Sequence, residues 1–411
     1  MRADAGDAAR AAAETAARSA YGRLLAILAR RARDLDAAED ALADTFARAL
    51  EVWPRTGVPE RPEAWLITTA RRRLADLARR TAVRAKAEPE LVLLLDRLSE
   101  AAAHDRLPDD RLALMLACAD PAIEEALHTP LMLQAVLGLD AARIGSAFLV
   151  SPAAMGQRLS RGKARIRAAG LTVETPGAEA LPGRLAPVLR AIYAVYTAGF
   201  DLIGAEPGRA RDLSGEALFL ARLVADLAPD AADAHALFAL VAHCQARAPA
   251  RRAPDGDFVA LSDQDTGLWD AALIEAAETA LRRALTLAPP GRFALEAAIQ
   301  SVHAERHRTG VTNWRAAAAL YDRLMEAGAG LGARVARACA HGEAFGAGAA
   351  LALLDGLQDG AGDHQPFHAS RAHWLAQAGR TEEARAAFTR AAGLSADPAV
   401  RAFLQSRAAQ L

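Results

Sequence analysis

DAARIGSAFLVSPAAMGQRLSRGKARIR, residues 140–167, is the stretch whose reading decides the rest. It divides into a short helix over 141–147 that Asp140 can cap, an apolar turn Phe148-Leu149-Val150, and a longer helix opened by Ser151-Pro152. Serine accepts from the free amides of a first helical turn, and proline has no amide to lose there. Met155, Leu159, Gly162 and Ile166 recur at helical spacing and face inward. Ala154, Gln157, Arg158, Arg161 and Arg165 are left on the outer face, and residues 151–173 carry five basic residues, Lys163 among them, and no acid. Small residues and Gln near a helix N-terminus reach base edges in a major groove, and arginines behind them meet phosphates. The plainer reading is a helical hairpin with a solvated basic face.

The chain around this hairpin has 411 residues, enough for two or three domains. It is 52% hydrophobic but only 5% aromatic, and Ala, Leu, Arg and Glu dominate, which is the composition of an all-α protein. The net charge of −1 decides nothing about nucleic acid; its distribution does. Residues 1–171 hold 26 Lys and Arg against 23 Asp and Glu, and the remainder holds 23 against 27. Cys118, Cys244 and Cys339 share no metal-ligand spacing and read as buried thiols of a reducing compartment. Asp4, Asp7 and Glu14 precede any apolar run, so the start reads as no signal peptide. The most apolar window, 185–204, contains Arg190 and Asp201 and reads as a buried helix, not a membrane span. A cytoplasmic chain with no membrane partner follows.

Toward the N-terminus, residues 1–18 read as a frayed lead-in to a helix over 21–33 with Leu24, Leu25 and Leu28 inside. A second helix over 35–50 is read as capped by Asp36, with Leu42, Phe46 and Leu50 as its inner stripe. Glu39, Asp40 and Asp44 stay outside, as a solvated face or a docking surface for a basic partner. The Pro/Gly loop 53–62 separates it from a third helix over 63–80, whose inner residues are Leu66, Ala70, Leu74 and Leu77. Arg71, Arg72, Arg73, Arg79, Arg80, Arg84 and Lys86 are offset only by Asp76, which is spaced to pair with Arg72 and Arg80. That surplus exceeds what solubility needs and marks a strip facing nucleic acid, with Arg71, Arg72 and Arg79 as candidate contacts. A linker, 85–108, leads to two apolar helices over 110–123 and 124–138, and the Gly, Pro and Thr of 171–183 mark a domain boundary.

Beyond 185 the pattern predicts helical hairpins only. In SRAHWLAQAGRTEEARAAFTRAAGL, residues 370–394, Ala372, Leu375, Gly379, Ala384, Phe388 and Ala391 occupy the packing positions of a tetratricopeptide-like repeat. A stack of such repeats offers a concave surface to a protein or peptide; the alternative is a passive helical cap. Asp263, Gln264, Asp265 and Trp269 cluster in DFVALSDQDTGLWDAALI, residues 257–274. Such acids can serve a cation or acid–base chemistry, but more often they cap a helix and bind loop amides. His303 and His307 have a spacing zinc can use, with no third ligand nearby. No phosphate loop, serine elbow or cysteine nucleophile occurs, so neither catalytic residue, metal nor cofactor is expected, and the chain reads as no enzyme.

DLDAAEDALADTFARALEVWP (34–54) and WLITTARRRLADLARR (65–80), together with IGSAFLVSPAAMGQRLSRGKARIRAAG (144–170), resemble an extracytoplasmic-function sigma factor of the sigma-70 family. The extension is similar to the subgroup with a C-terminal tetratricopeptide-like domain, through LSDQDTGLWDAALI (261–274) and NWRAAAALYDRL (313–324). Departures from the family's usual residues include Ala43 for Gln, Arg72 for Asn and Arg143 for Glu. ACADP (117–121) and TAGF (197–200) also replace TCCHP-like and NEGY-like stretches.

The resemblance implies sigma region two at 1–84, region four with its helix–turn–helix at 109–172, linkers at 85–108 and 173–184, and a regulatory helical domain at 185–411. Its implied partners are core RNA polymerase, through the β′ clamp helices and the β flap, and promoter DNA. Glu39, Asp40 and Asp44 would then dock on polymerase. Arg71, Arg72 and Arg79 would hold the melted strand, with Trp53 or Trp65 able to stack. Ala154, Gln157, Arg158, Arg161, Lys163 and Arg165 would meet the upstream duplex. Two rival readings are a DNA-binding regulator that does not recruit polymerase and a tetratricopeptide scaffold with vestigial sigma domains.

Overall fold

The computed structural model describes residues 2–84, 110–148, 150–171, 173, 181–201 and 207–411. The expected linker 85–108 and most of 173–184 lie outside them. Among the described residues the fold is all-α: no strand occurs, only one antiparallel bridge between Arg252 and Phe258. The chain forms two compact units, Met1–Ala191 and Ile192–Leu411.

The first unit contains α1 (Arg2–Ala32), α2 (Leu35–Thr56), α3 (Pro62–Arg84), α4 (Arg111–Cys118), α5 (Glu125–Leu137), α6 (Ala141–Ala147) and α7 (Pro152–Ala168). α1 is one continuous helix, not a frayed lead-in followed by a helix, because Ala9, Ala13, Ala16 and Ala20 continue the buried stripe of Leu24 and Leu28. Arg33, at φ +53°, turns the chain into α2. The N-cap of α2 is Asp34 rather than Asp36; its carboxylate accepts from the Ala37 amide at 3.2 Å.

The inner stripe of α2 also differs from the expected one. Leu35, Ala38, Leu42, Thr45, Ala49 and Trp53 are buried, while Leu50 is 47% exposed. The register follows Trp53, whose indole is fully buried and meets Trp65 edge-on at 5.5 Å. The helix accommodates Pro54 in its last turn and ends at Gly57, whose positive φ suits glycine. In α3, Leu66 and Ala70 are buried, but Leu74 and Leu77 are only half-buried.

The expected helix over 110–123 stops at Cys118, where Asp120 turns the chain by accepting from the Ala122 amide at 2.8 Å. α1 and α5 cross at backbone distance: a Cβ on Gly22 would stand 2.0 Å from the Val136 carbonyl oxygen. At Gly162 α7 crosses α5 over the Leu131 side chain, whose Cδ1 an added Cβ would meet at 2.8 Å. These two crossings bring α7 alongside α2.

α8 (Leu181–Asp201) runs across the division between the units. The second unit continues with α9 (Pro207–Leu227), α10 (Ala232–Ala246), α11 (Ala271–Leu287), α12 (Arg292–Ala304), α13 (Arg306–Thr309) and α14 (Trp314–Glu326). It ends with α15 (Leu331–Phe345), α16 (Ala347–Asp355), α17 (Gln358–Ala361), α18 (Gln365–Gln377), α19 (Thr381–Leu394) and α20 (Pro398–Ala409). Neighbours in sequence pair in space: α10 with α11, α14 with α15, α18 with α19. Ala372, Leu375, Ala384, Phe388 and Ala391 are buried between the last helices, and Gly379 makes their turn at φ +75°. A helix expected from 267 begins only at Ala271, after the cap Asp270; residues 261–263 and 266–268 form short 3-10 turns instead. No helix among the described residues is long and apolar enough to cross a membrane.

Candidate nucleic-acid and polymerase interface

Ser151 opens α7 by accepting from the Ala154 amide at 3.3 Å, and Met155, Leu159, Gly162 and Ile166 are buried beneath it. Gln157, Arg158 and Arg161 project into solvent, Ala154 is half-buried, and Arg165 donates to the Ala122 carbonyl at 3.2 Å. Lys163 turns the other way. Its ammonium lies 2.7 Å from the Glu39 carboxylate and 3.2 Å from Asp36. Arg167 pairs with Asp34 at 3.2 Å and also with Asp36. The basic C-terminal half of α7 therefore lies on the acidic first turns of α2.

The central pair is nearly dry: the side chains of Lys163 and Glu39 are each 14% exposed. Burial pushes the Glu39 carboxyl up against the pull of Lys163. Lys163 loses hydration too, but Glu39 and Asp36 outweigh that loss and hold its ammonium above the ordinary lysine range. The Oε1 atom of Glu39 is buried without a hydrogen-bond partner, so Lys163 answers only half of that carboxylate.

On α3, Arg72 is exposed. Arg71 is half-buried, and desolvation and then Arg31 lower its pKa. Asp76 pairs with Arg79, one turn of the helix away, rather than with Arg72; the side chain of Arg80 lies outside the described residues. Asp44 holds Arg73 at 2.8 Å across the α2–α3 packing. Trp53 is core, and Trp65 is the half-buried indole of the pair. Of the expected contact residues, Arg72, Gln157, Arg158, Arg161 and Asp40 stand open to solvent. Arg79, Lys163, Arg165, Glu39 and Asp44 already hold intramolecular partners.

Sequence reasoning missed Asp34, Asp36 and Arg167 as members of this charge cluster. The available signal was Lys163 itself, which sits beside Gly162 on the flank of the buried stripe.

Elsewhere, Asp265 accepts from the Gly267 amide at 2.8 Å and Asp263 from the Ser262 hydroxyl at 2.9 Å, as turn-forming acids do. His303 is buried against Trp314, and His307 bonds the Thr266 carbonyl at 2.8 Å. Among the described residues no group of three His, Cys, Asp or Glu side chains is placed to hold a metal ion.

Residues 17–84 match the family model for sigma-70 region 2, which corresponds to the second half of α1 with α2 and α3. Residues 184–285 match a family of unknown function (DUF6596). An uncharacterized protein of Rhizobium meliloti (strain 1021) is 37% identical over 394 residues, covering 94% of this chain and 93% of that protein. No solved structure matches the chain. Sigma-70 region 2 binds core RNA polymerase and promoter DNA in general, and the sigma-70 family comprises non-enzymatic transcription factors. The chain carries a sigma-70 region 2 domain and belongs to one family with the uncharacterized Rhizobium meliloti protein.

Proposed function

We propose that the chain is an extracytoplasmic-function sigma factor that directs core RNA polymerase to particular promoters. In this reading residues 1–84 act as region two, 109–172 as a helix–turn–helix region four, and 185–411 as a tetratricopeptide-like domain that regulates activity. The observation that carries it is the sigma-70 region 2 match over α1–α3. Asp40 and the exposed Leu50 edge of α2 would meet the β′ clamp helices, and region four the β flap. Arg72 would contact the phosphates of the melted strand, with the half-buried Trp65 beside it. Gln157, Arg158 and Arg161 would read the upstream duplex.

The pairing of Lys163 and Arg167 with Asp34, Asp36 and Glu39 supports a closed resting state. In it one acid expected to face polymerase, Glu39, and one base expected to face DNA, Lys163, neutralise one another, so engagement of either requires α7 to leave α2. Reconstituted transcription with core polymerase tests the reading. Arg158→Ala is expected to cost about 1–3 kcal/mol of promoter discrimination, and truncation after residue 180 to change output from the cognate promoter. Unchanged footprints and unchanged output would reject both roles. A DNA-binding regulator that does not recruit polymerase is the second reading, favoured by the burial of Glu39 under Lys163. Co-purification with core polymerase separates the two.

A further inference from the structure

The second unit contains a cavity of about 460 Å³ whose wall includes Tyr193, Tyr196, Tyr321, Arg292, Glu296 and Gln300. One side of it is balanced. Arg292 donates to the Glu296 carboxylate at 2.8 Å, and the Tyr193 hydroxyl donates to the same carboxylate at 3.0 Å. Behind the other side lies Arg247, a residue 6% exposed. Its guanidinium donates to the Gln300 side chain and lies 3.9 Å from the Cys244 sulfur; both residues belong to the cavity wall. Its Nη1 is buried with no hydrogen-bond partner, and among the described residues no carboxylate pairs with it.

The surroundings of Arg247 deepen the imbalance. Trp269 stands between two guanidiniums, Arg247 at 6.0 Å and Arg306 at 5.1 Å from its ring centre. Arg306 is held by the carbonyls of Leu261 at 2.8 Å and Gln264 at 2.7 Å, within the LSDQD stretch. That stretch therefore builds a scaffold of stacked cations instead of a metal or acid–base site. His303 feels the result: burial, then Arg247 and Arg306, push its imidazole down to about 4. Arg251 adds a further, mostly buried cation beside Arg247 and Tyr196.

A buried guanidinium with no carboxylate partner costs stability, and an anion on the cavity side of Gln300 and Cys244 would offset its charge. We infer that this cavity binds a small organic anion, a carboxylate or a phosphate monoester. Its charged group would sit against Gln300 and Cys244, in the field of Arg247 directly behind them, and its apolar or aromatic body among the three tyrosines. The volume suits a compact metabolite-sized ligand. A cation would be repelled by Arg247, and a neutral analogue would leave its charge uncompensated.

Isothermal titration calorimetry on the full chain tests this, independently of any transcription assay. The probes are a panel of aryl and alkyl carboxylates and phosphate monoesters, from benzoate to phenyl phosphate, with benzyl alcohol and benzylamine as controls. At least one anion class is expected to bind with one-to-one stoichiometry, and which class binds identifies the charged group. The controls are expected not to bind.

Arg247→Met should weaken binding about tenfold or more. Gly332→Leu serves as the variant that keeps Arg247. Gly332 lines the cavity mouth, and a Cβ added there meets no atom within 4 Å, so the fold tolerates it while the side chain occludes the opening. It should abolish binding. Failure of every anion to bind, equal binding of benzylamine, or binding that survives both variants would overturn the inference.

Discussion

Lys163 in the first unit and Arg247 in the second are both buried cations, and their surroundings are opposite. Lys163 meets two carboxylates, Glu39 and Asp36, supplied by another helix. Arg247 meets an amide oxygen, a thiol and an indole face, and no carboxylate among the described residues. The first arrangement supplies its own counter-charges, leaving only the Glu39 Oε1 atom unanswered, and holds α7 against α2. The second is incomplete and keeps a cavity charged. The contrast separates a charge that closes a structure from one that waits for a ligand.

Removing each cation in turn probes this contrast. Lys163→Met leaves Glu39 buried without a counter-charge and should destabilise the first unit by about 3 kcal/mol at neutral pH. Arg247→Met removes an unanswered charge and should cost about 1 kcal/mol or less. Denaturant titration of the full chain, read with hydrogen exchange on α7 and α10, measures both. Equal losses would end the distinction.

The pH dependence sharpens the first arm. Because burial raises the Glu39 carboxyl, the folded chain takes up its proton before the unfolded chain does. Its contribution is then full at acid pH and is lost as pH rises through the raised value. The penalty of Lys163→Met should shrink as pH falls toward the ordinary carboxylate range.

His303 behaves in the opposite sense. Its pKa falls from 6.5 unfolded to about 4 folded, so its contribution is full above 6.5 and is lost as pH drops to about 4. The loss should amount to about 2 kcal/mol, after discounting for incomplete burial. It should vanish in His303→Phe and diminish when an anion occupies the cavity, since the anion offsets Arg247 and Arg306. Melting of the second unit at stepped pH checks this.

The smallest effect serves as the control. Arg73 and Asp44 also form an ion pair, but both side chains are about half exposed, at 43% and 55%. Arg73→Ala should change stability by about 0.5 kcal/mol or less. A larger loss would mean that burial is not what distinguishes the strong pair from the weak one.

Much of this fold was legible in the residues. Helical periodicity located α7 and its buried face from Met155, Leu159, Gly162 and Ile166, because one apolar stripe admits one register. The register of α2 was misread for a physical reason: Leu50 and Trp53 compete for the inner position, and only the fit of Trp53 against Trp65 decides between them. The cap of α2 was misplaced by two residues because Asp34 and Asp36 both suit an N-cap.

The candidate contact residues were chosen by charge and helix face. What a linear pattern could not reveal was that Lys163 and Glu39, 124 residues apart, answer each other. That pairing depends on the Gly22–Val136 and Gly162–Leu131 crossings, which arise from three-dimensional packing alone. Arg247 carried no signal at all, since its lack of a carboxylate partner among the described residues is a property of three-dimensional packing.

The sigma-factor reading stands or falls on start-site mapping of transcripts made by catalytic core polymerase, with and without the purified full chain, over a genomic fragment library. Transcripts with defined 5′ ends that depend on the chain are expected, sharing upstream sequence at a fixed distance and weakened by Arg158→Ala. Transcription that is identical with and without the chain at every fragment would contradict it.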